Sequence, residues 1–252
     1  MKNLFGILLS FLILSGCTKD IINDGEGSFI DDRNIYLQLF YSFNGQPFLK
    51  DSLYQAGSTF IYVDELEMVF SNFYMLSDGD TLENQSGYNI SLSNLDQRDV
   101  PIARLKPGGY FGELGFLFGL DMMESITPPE AQPDYSPLKD KPFQMPIGYN
   151  YLLIKGRAFD PAKPDETSPS LNFQYAIASF PLATRFSINK SFSMGSGNKV
   201  YLPVQMDIGQ LLSGIDPATV QIIKSDPTDA VDYARAELLQ ENLVLNAFKI
   251  QP

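Results

Sequence analysis

Apolar and polar residues alternate along much of this chain. Ile35, Leu37, Leu39, Tyr41 and Phe43 recur with period two, as in a strand with one buried face. Asn44-Gly45 then marks a hairpin turn. Thr59–Val63 and Leu66–Leu76 read as two further strands, the second with Leu66, Met68, Phe70 and Tyr74 on one face and Asp78-Gly79-Asp80 as its closing turn. Short strands follow over Tyr88–Leu92 and Val100–Leu105, and Pro107-Gly108-Gly109 is a turn. Tyr110–Leu120, Tyr151–Ala158, Leu171–Ser179, Leu182–Ile188 and Lys199–Met206 complete the set. About ten strands separated by turns predict an all-β fold, an antiparallel sandwich or barrel.

Two helices are expected near the C-terminus. One covers Ile208–Ser213. The other runs from Pro227 to about Asn246, with Asp226 as N-cap and Val231, Ala234, Leu238 and Leu239 on one stripe. The end of this helix is open, because Leu243–Ile250 also reads as a final strand. Residues 121–147 and 159–170 are long Pro-rich loops, the kind that often carry binding groups on a rigid scaffold.

The N-terminus breaks the pattern. Leu4–Leu14 is apolar throughout but too short for the roughly 20 residues of a membrane-spanning helix, so it reads as a signal peptide. Leu14-Ser15-Gly16-Cys17 resembles a bacterial lipobox. That resemblance implies cleavage before Cys17, lipidation of its thiol and acylation, for example with palmitate, of the new amine, giving durable anchoring. Thr18 after the Cys implies the outer membrane, and Thr18-Lys19-Asp20 partly resembles a surface-export signal, leaving the membrane face open. The expected division is 1–16 signal peptide, 17–33 lipidated tether and 34–252 sandwich domain.

Composition narrows the chemistry. Eighteen Lys plus Arg stand against 30 acids, a formal charge of −12 that becomes −13 once Lys2 is removed. Such a surface repels nucleic acid. There is one Cys, no His and no Trp. The chain therefore lacks an intrachain disulfide, imidazole-based catalysis and imidazole metal ligands.

Several segments resemble MbnP-like proteins. Met68–Leu76 is similar to their "Y-x-x-SN-x-x-L" strand, Leu105–Tyr110 to the "vp-x-G-x-Y" turn and Phe116–Asp121 to the "F-x-x-G-v-D" strand. Gly148-Tyr149 with Leu153–Gly156 resembles the "GY" strand, Asp207–Ser213 the late short helix and Asn242–Ile250 the closing segment. The resemblance implies a β-sandwich and copper binding through His and a tryptophan-rich "M-x-W-x-W-x-x-GY" segment, with a dihaem peroxidase-like partner. Aligned on Gly148-Tyr149, Phe143 and Met145 fall at the two Trp positions and Lys141 at the Met position. Ala176-Ile177-Ala178 falls at the family's "H-x-G". Every diagnostic ligand is absent.

Other candidates remain. Soft Met ligands suit Cu(I), so Met145 with Met122 or Met123 forms a replacement copper set; Met194 and Met206 are scattered, and Met68, Met75 and Met206 read as core. Asp78-Gly79-Asp80 lacks the further ligands of a calcium loop. Asp64, Glu65 and Glu67 read as a solvated strand edge. Glu113 and Asp121 are the carboxylates a hydrolase would use. Phe143, Tyr149 and Tyr151 are candidates for stacking on a sugar or a partner protein. The expectation is a lipid-anchored binding protein, not an enzyme, with no cofactor. Copper enters only through the family resemblance, and a glycan- or protein-recognition module is the further alternative.

Overall fold

The computed structural model describes residues 33–77, 80–82, 89–105, 109–159, 171–193 and 199–251. Cys17 and the tether up to Asp32, Asp78-Gly79, Tyr88, Pro107-Gly108, most of the second Pro-rich loop and Met194 lie outside them.

Strand β1 (Ile35–Phe43) buries Ile35, Leu37 and Leu39 and turns Phe40 outward, as its alternation requires. Asn44 and Gly45 take φ of 49° and 81°, and the chain returns as β2 (Gln46–Pro47). Next come β3 (Tyr54–Ala56), β4 (Thr59–Ser77), β5 (Asp80–Leu82), β6 (Ile90–Asn94), β7 (Asp99–Ala103) and β8 (Tyr110–Phe118). Helix α1 (Met122–Ile126) opens the first Pro-rich loop, which closes with β9 (Phe143–Gln144) and β10 (Gly148–Tyr149). Then follow β11 (Leu152–Phe159), β12 (Leu171–Ile177), β13 (Thr184–Ser193), β14 (Val200–Asp207), α2 (Ile208–Leu211) and β15 (Ile222–Ile223). Helix α3 (Ala230–Asn242), a π-helical turn (Leu243–Ala247) and β16 (Phe248–Ile250) end the chain.

The result is an all-β sandwich. A nine-stranded sheet runs β13-β8-β4-β11-β12-β15, with β3, β5 and β6 also on β4. A five-stranded sheet runs β16-β14-β1-β2, with β7 on β1. The sandwich is not purely antiparallel, since β1 and β14 pair in parallel from Ile35↔Val200 to Ser42↔Asp207. Every strand of the large sheet except β15 lies between them in the chain, ample length for a parallel crossover. Phe248 joins the two layers: its ring meets those of Phe70, Phe116, Phe118 and Phe186 at 4.7–6.2 Å. Burying such a ring contributes about 1.5–3 kcal/mol.

Strand β4 is one element of 19 residues where the pattern predicts two. Two bulges explain the difference. Opposite β11, pairing steps from Lys155↔Glu65 to Gly156↔Val63, so Asp64 is the extra residue. Asn72 has φ 51°, and pairing with β8 shifts between Ser71 and Tyr74. That second bulge reverses the faces, so Phe73 and Met75 are buried and Tyr74 is not on the face of Phe70. Asp64, Glu65 and Glu67 are not an edge either. They sit on a central strand and pair with Arg157, Lys155 and Lys141 at 2.7, 2.8 and 2.8 Å.

Near the C-terminus, α3 starts later than its sequence predicts. Asp229, not Asp226, is the N-cap and accepts from Val231 N and Asp232 N, while Asp226 accepts from Thr228 N in the preceding turn. The buried residues are Ala236, Leu239 and Asn242; Val231 and Ala234 are exposed. Asn242 donates to the carbonyls of Leu211 and Ser213 at 3.1 and 2.7 Å, closing the C-terminal end of α2.

Asp207 ties β14, α2 and the first hairpin together. Its carboxylate accepts from Asn44 N, Gly45 N, Gln210 N and Ser42 Oγ at 2.7–3.0 Å. Burial acts to raise its pKa, but the donors of Gln210, Gly45, Asn44 and Ser42 outweigh it and hold the group below the ordinary 3.8. A carboxyl depressed on folding stabilises fully above its unfolded value, and that contribution disappears as pH falls through the lower folded value. Asp207→Asn turns an amide donor toward these N–H groups, with an expected cost of about 1–3 kcal/mol at pH 7. Urea unfolding at pH 7 and near pH 3 checks this. The gap between wild type and variant should narrow in acid, and an unchanged gap contradicts the assignment.

Candidate functional site

The first Pro-rich loop is rooted at a branch in the large sheet. Val69 N donates to Tyr151 O at 2.8 Å, and Val69 O accepts from Gly119 N at 2.9 Å. Here β4 exchanges its partner β11 for β8, and the residues between Gly119 and Tyr151 leave and return at one point. Gly119 has φ +117°, and a Cβ there would lie 2.7 Å from Ala183 Cβ, so the turn needs glycine. Ser71 Oγ donates to Gly119 O at 2.7 Å. The Asn72 bulge turns its amide to Asp121, donating to Oδ2 at 3.1 Å. Asn89 donates to Asn72 Oδ1 at 2.8 Å and to Glu124 Oε1 at 3.0 Å.

Asp121 caps α1. Its Oδ1 accepts from Glu124 N at 2.8 Å, and Glu124 Oε2 accepts from Asp121 N at 3.4 Å, a reciprocal capping box. Burial, then the neighbouring Asp121 charge, raise the Glu124 carboxyl above its usual range. The returning strand locks onto the same helix. Gly148, with φ +89°, has no room for a Cβ, which would fall 2.5 Å from Ser125 O. Tyr149 Oη donates to Thr127 O at 2.8 Å.

Two clefts flank this loop. The first, about 320 Å³, is lined by Met123, Glu124, Thr127, Gln132 and Tyr135 of the loop and by Asn89. The second, about 200 Å³, is lined by Phe143, Gln144, Asn150, Gln174, Ala176 and Lys224. Phe143 is half-buried, its ring tilted 56° against Tyr149 at 4.9 Å.

The structure sorts the residues that the sequence singles out. Phe143 and Ala176 meet in the second cleft. Met145 is 60% exposed and lines neither cleft, and Lys141 is held by Glu67. Tyr149 and Tyr151 are 0% and 1% exposed, so neither ring offers a stacking surface. They follow the returning strand into the core, where Tyr151 meets Phe118 edge-on at 6.3 Å. Of the Met candidates, Met123 lines the first cleft while Met122 does not, and Met206 is core. Glu113 accepts from Tyr74 Oη at 3.3 Å and Asp121 is engaged by Asn72 and α1, so this carboxylate pair lines no common cleft. Among the described residues, no group of three or more Cys, Asp or Glu could hold a metal ion. Gln144, Asn150, Gln174 and Lys224 carry no signal in the sequence, because common polar residues gain meaning only when three separate segments meet.

The family model for MbnP matches residues 32–226. The chain belongs to the MbnP family. It is also similar to the solved structure of MbnP from Methylosinus trichosporium, with 12% identity and a TM-score of 0.46 over 76% of this chain and 80% of that one. No curated protein matches it. Membership in the MbnP family points to a copper-related binding protein. Amides, an ammonium and a phenyl ring, the polar and aromatic groups of the second cleft, do not make a copper ligand set, since they offer no thiolate, thioether or imidazole and place a positive charge beside the metal.

The branch makes Asp121 a fastening of the loop. Asp121→Ala should cost about 1 kcal/mol of stability and speed amide exchange at Glu124 and Ser125. Hydrogen exchange read by mass spectrometry checks this, and exchange in α1 as slow as in wild type contradicts it.

Proposed function

We propose that this chain is a lipid-anchored cell-envelope binding protein of the MbnP family that no longer uses copper at the family position. The observation that carries the reading is the second cleft. Two residues aligned with the family's ligand-bearing positions, Phe143 and Ala176, line it, and their neighbours are amides and Lys224. The role assigned is binding rather than catalysis, with no cofactor. Attachment is through lipid on Cys17, with the outer membrane as destination. The charge of −12 argues against nucleic acid as partner, and an envelope protein or glycan is the class of partner that the location offers.

Protein purified without a His tag from copper-grown cells should carry far less than one copper per chain, and titration with Cu(I) or Cu(II) should reveal no sub-micromolar site. Near-stoichiometric tight copper overturns the reading. If that copper disappears in Met145→Leu, the replacement thioether ligand is identified.

The anchor has its own test. Cys17→Ala should move the protein from the membrane fraction to the soluble fraction, because the apolar segment alone is too short to span. Membrane retention of the variant means that something other than lipid holds it.

A further inference from the structure

The second cleft has a composition unlike the rest of the molecule. In a chain of charge −12, none of its lining residues is acidic and one, Lys224, is cationic. Gln144 comes from β9, Asn150 from the entry to β11, Gln174 from β12 and Lys224 from the segment before α3. None of these four side chains has a hydrogen-bond or ion-pair partner among the described residues. Lys224 stands at the border of a neighbouring depression, which it lines together with Asp226, Asp229, Asp232 and Arg235, and its charge also acts on Asp226. The carboxylates of Asp226 and Asp232 accept from the backbone N–H groups of Lys224, Asp226 and Thr228 at 2.8–3.1 Å.

We infer that this cleft binds a sugar acid, a single sugar ring bearing one carboxylate. The inference rests on the reading that copper does not occupy the family position, and it names the ligand class of the same cleft. One ammonium matches one negative charge. Each primary amide both donates and accepts, as a hydroxyl does, so three amides suit a polyhydroxylated ring better than an oxyanion that only accepts. A phosphate would call for more donors and a denser positive charge than one Lys supplies. An amino acid would need a carboxylate for its ammonium, and the lining has none. The half-buried Phe143 ring lines the cleft and supplies apolar surface for the C–H groups of a sugar. At about 200 Å³ the cleft is smaller than a drug-sized pocket and suits one ring, not a chain.

Calorimetric titration of the mature lipidated protein in detergent tests this, with glucuronate, galacturonate, glucose and acetate as probes. A sugar acid should bind about tenfold more tightly than glucose or acetate. Lys224→Met should abolish that preference and Lys224→Arg should retain most of it. Lys224 is exposed, so thermal melts should show both variants folded. Equal binding of sugar acid and glucose, no binding of any probe at about 10 mM, or a preference that survives Lys224→Met overturns the inference. Copper titrated in parallel separates the two levels. Tight copper defeats the proposed function, whereas neither copper nor sugar acid defeats this inference alone.

Discussion

Val69 holds the root of this architecture through the two backbone groups of one residue. A strand offers each neighbour a limited row of N–H and C=O groups, and two strands cannot occupy the same stretch on the same side. On β4 the problem is solved in sequence: β11 takes the first half, β8 takes the second, and Val69 gives its N–H to one connection and its C=O to the other. The consequence is geometric. Gly119 and Tyr151 are pinned beside each other, so the long segment between them is closed at its base by backbone hydrogen bonds. Closing a long loop costs little more than closing a short one, which makes a large insertion tolerable once its root is fixed.

That constraint explains why weak family motifs far apart in the chain belong together. Ser71, Asn72, Gly119, Asp121, Gly148 and Tyr149 are scattered through three motifs, yet all fasten this root. The glycines are there because a Cβ would strike Ala183 or Ser125. The polar residues are there because a bulge and a one-turn helix leave backbone groups that need partners. None of them lines the second cleft except Gly148, which does so through backbone. At the second cleft, fastening and lining fall to different side chains.

The sequence displays strands well where one face is buried without interruption, as in β1 and β14. It misleads where a single residue changes parity. Asn72 is polar in an apolar run, and nothing local says that its backbone turns to positive φ and sends Tyr74 to the other face. Parallel pairing of β1 with β14 joins residues from opposite ends of the domain, which no local pattern encodes. Asp226 and Asp229 are both competent caps, and the choice depends on how Asp232 satisfies the turn before α3. Tyr149 and Tyr151 illustrate the opposite error. An aromatic beside a Pro-rich loop suggests a contact surface, but the root of that loop is the part most deeply packed.

Separate fastening and lining also bear on what a family relationship can carry. The fold is maintained by backbone closure at Val69, by Phe248 between the sheets and by Asp207 at the first turn. Each of these interactions can persist whatever stands at positions 143, 144, 174, 176 and 224. Under the proposed function, alanine and phenylalanine at positions 176 and 143 change the chemistry of the cleft without loosening the frame. What remains is a depression whose shape comes from three strands and a loop, and whose affinity depends on unengaged side chains. Buried polar groups left unpaired would destabilise the fold, but amides and an ammonium at a cleft wall stay hydrated until a ligand replaces the water. A scaffold built this way can lose one ligand and acquire another at little cost to its stability, because the energy that folds it is held elsewhere.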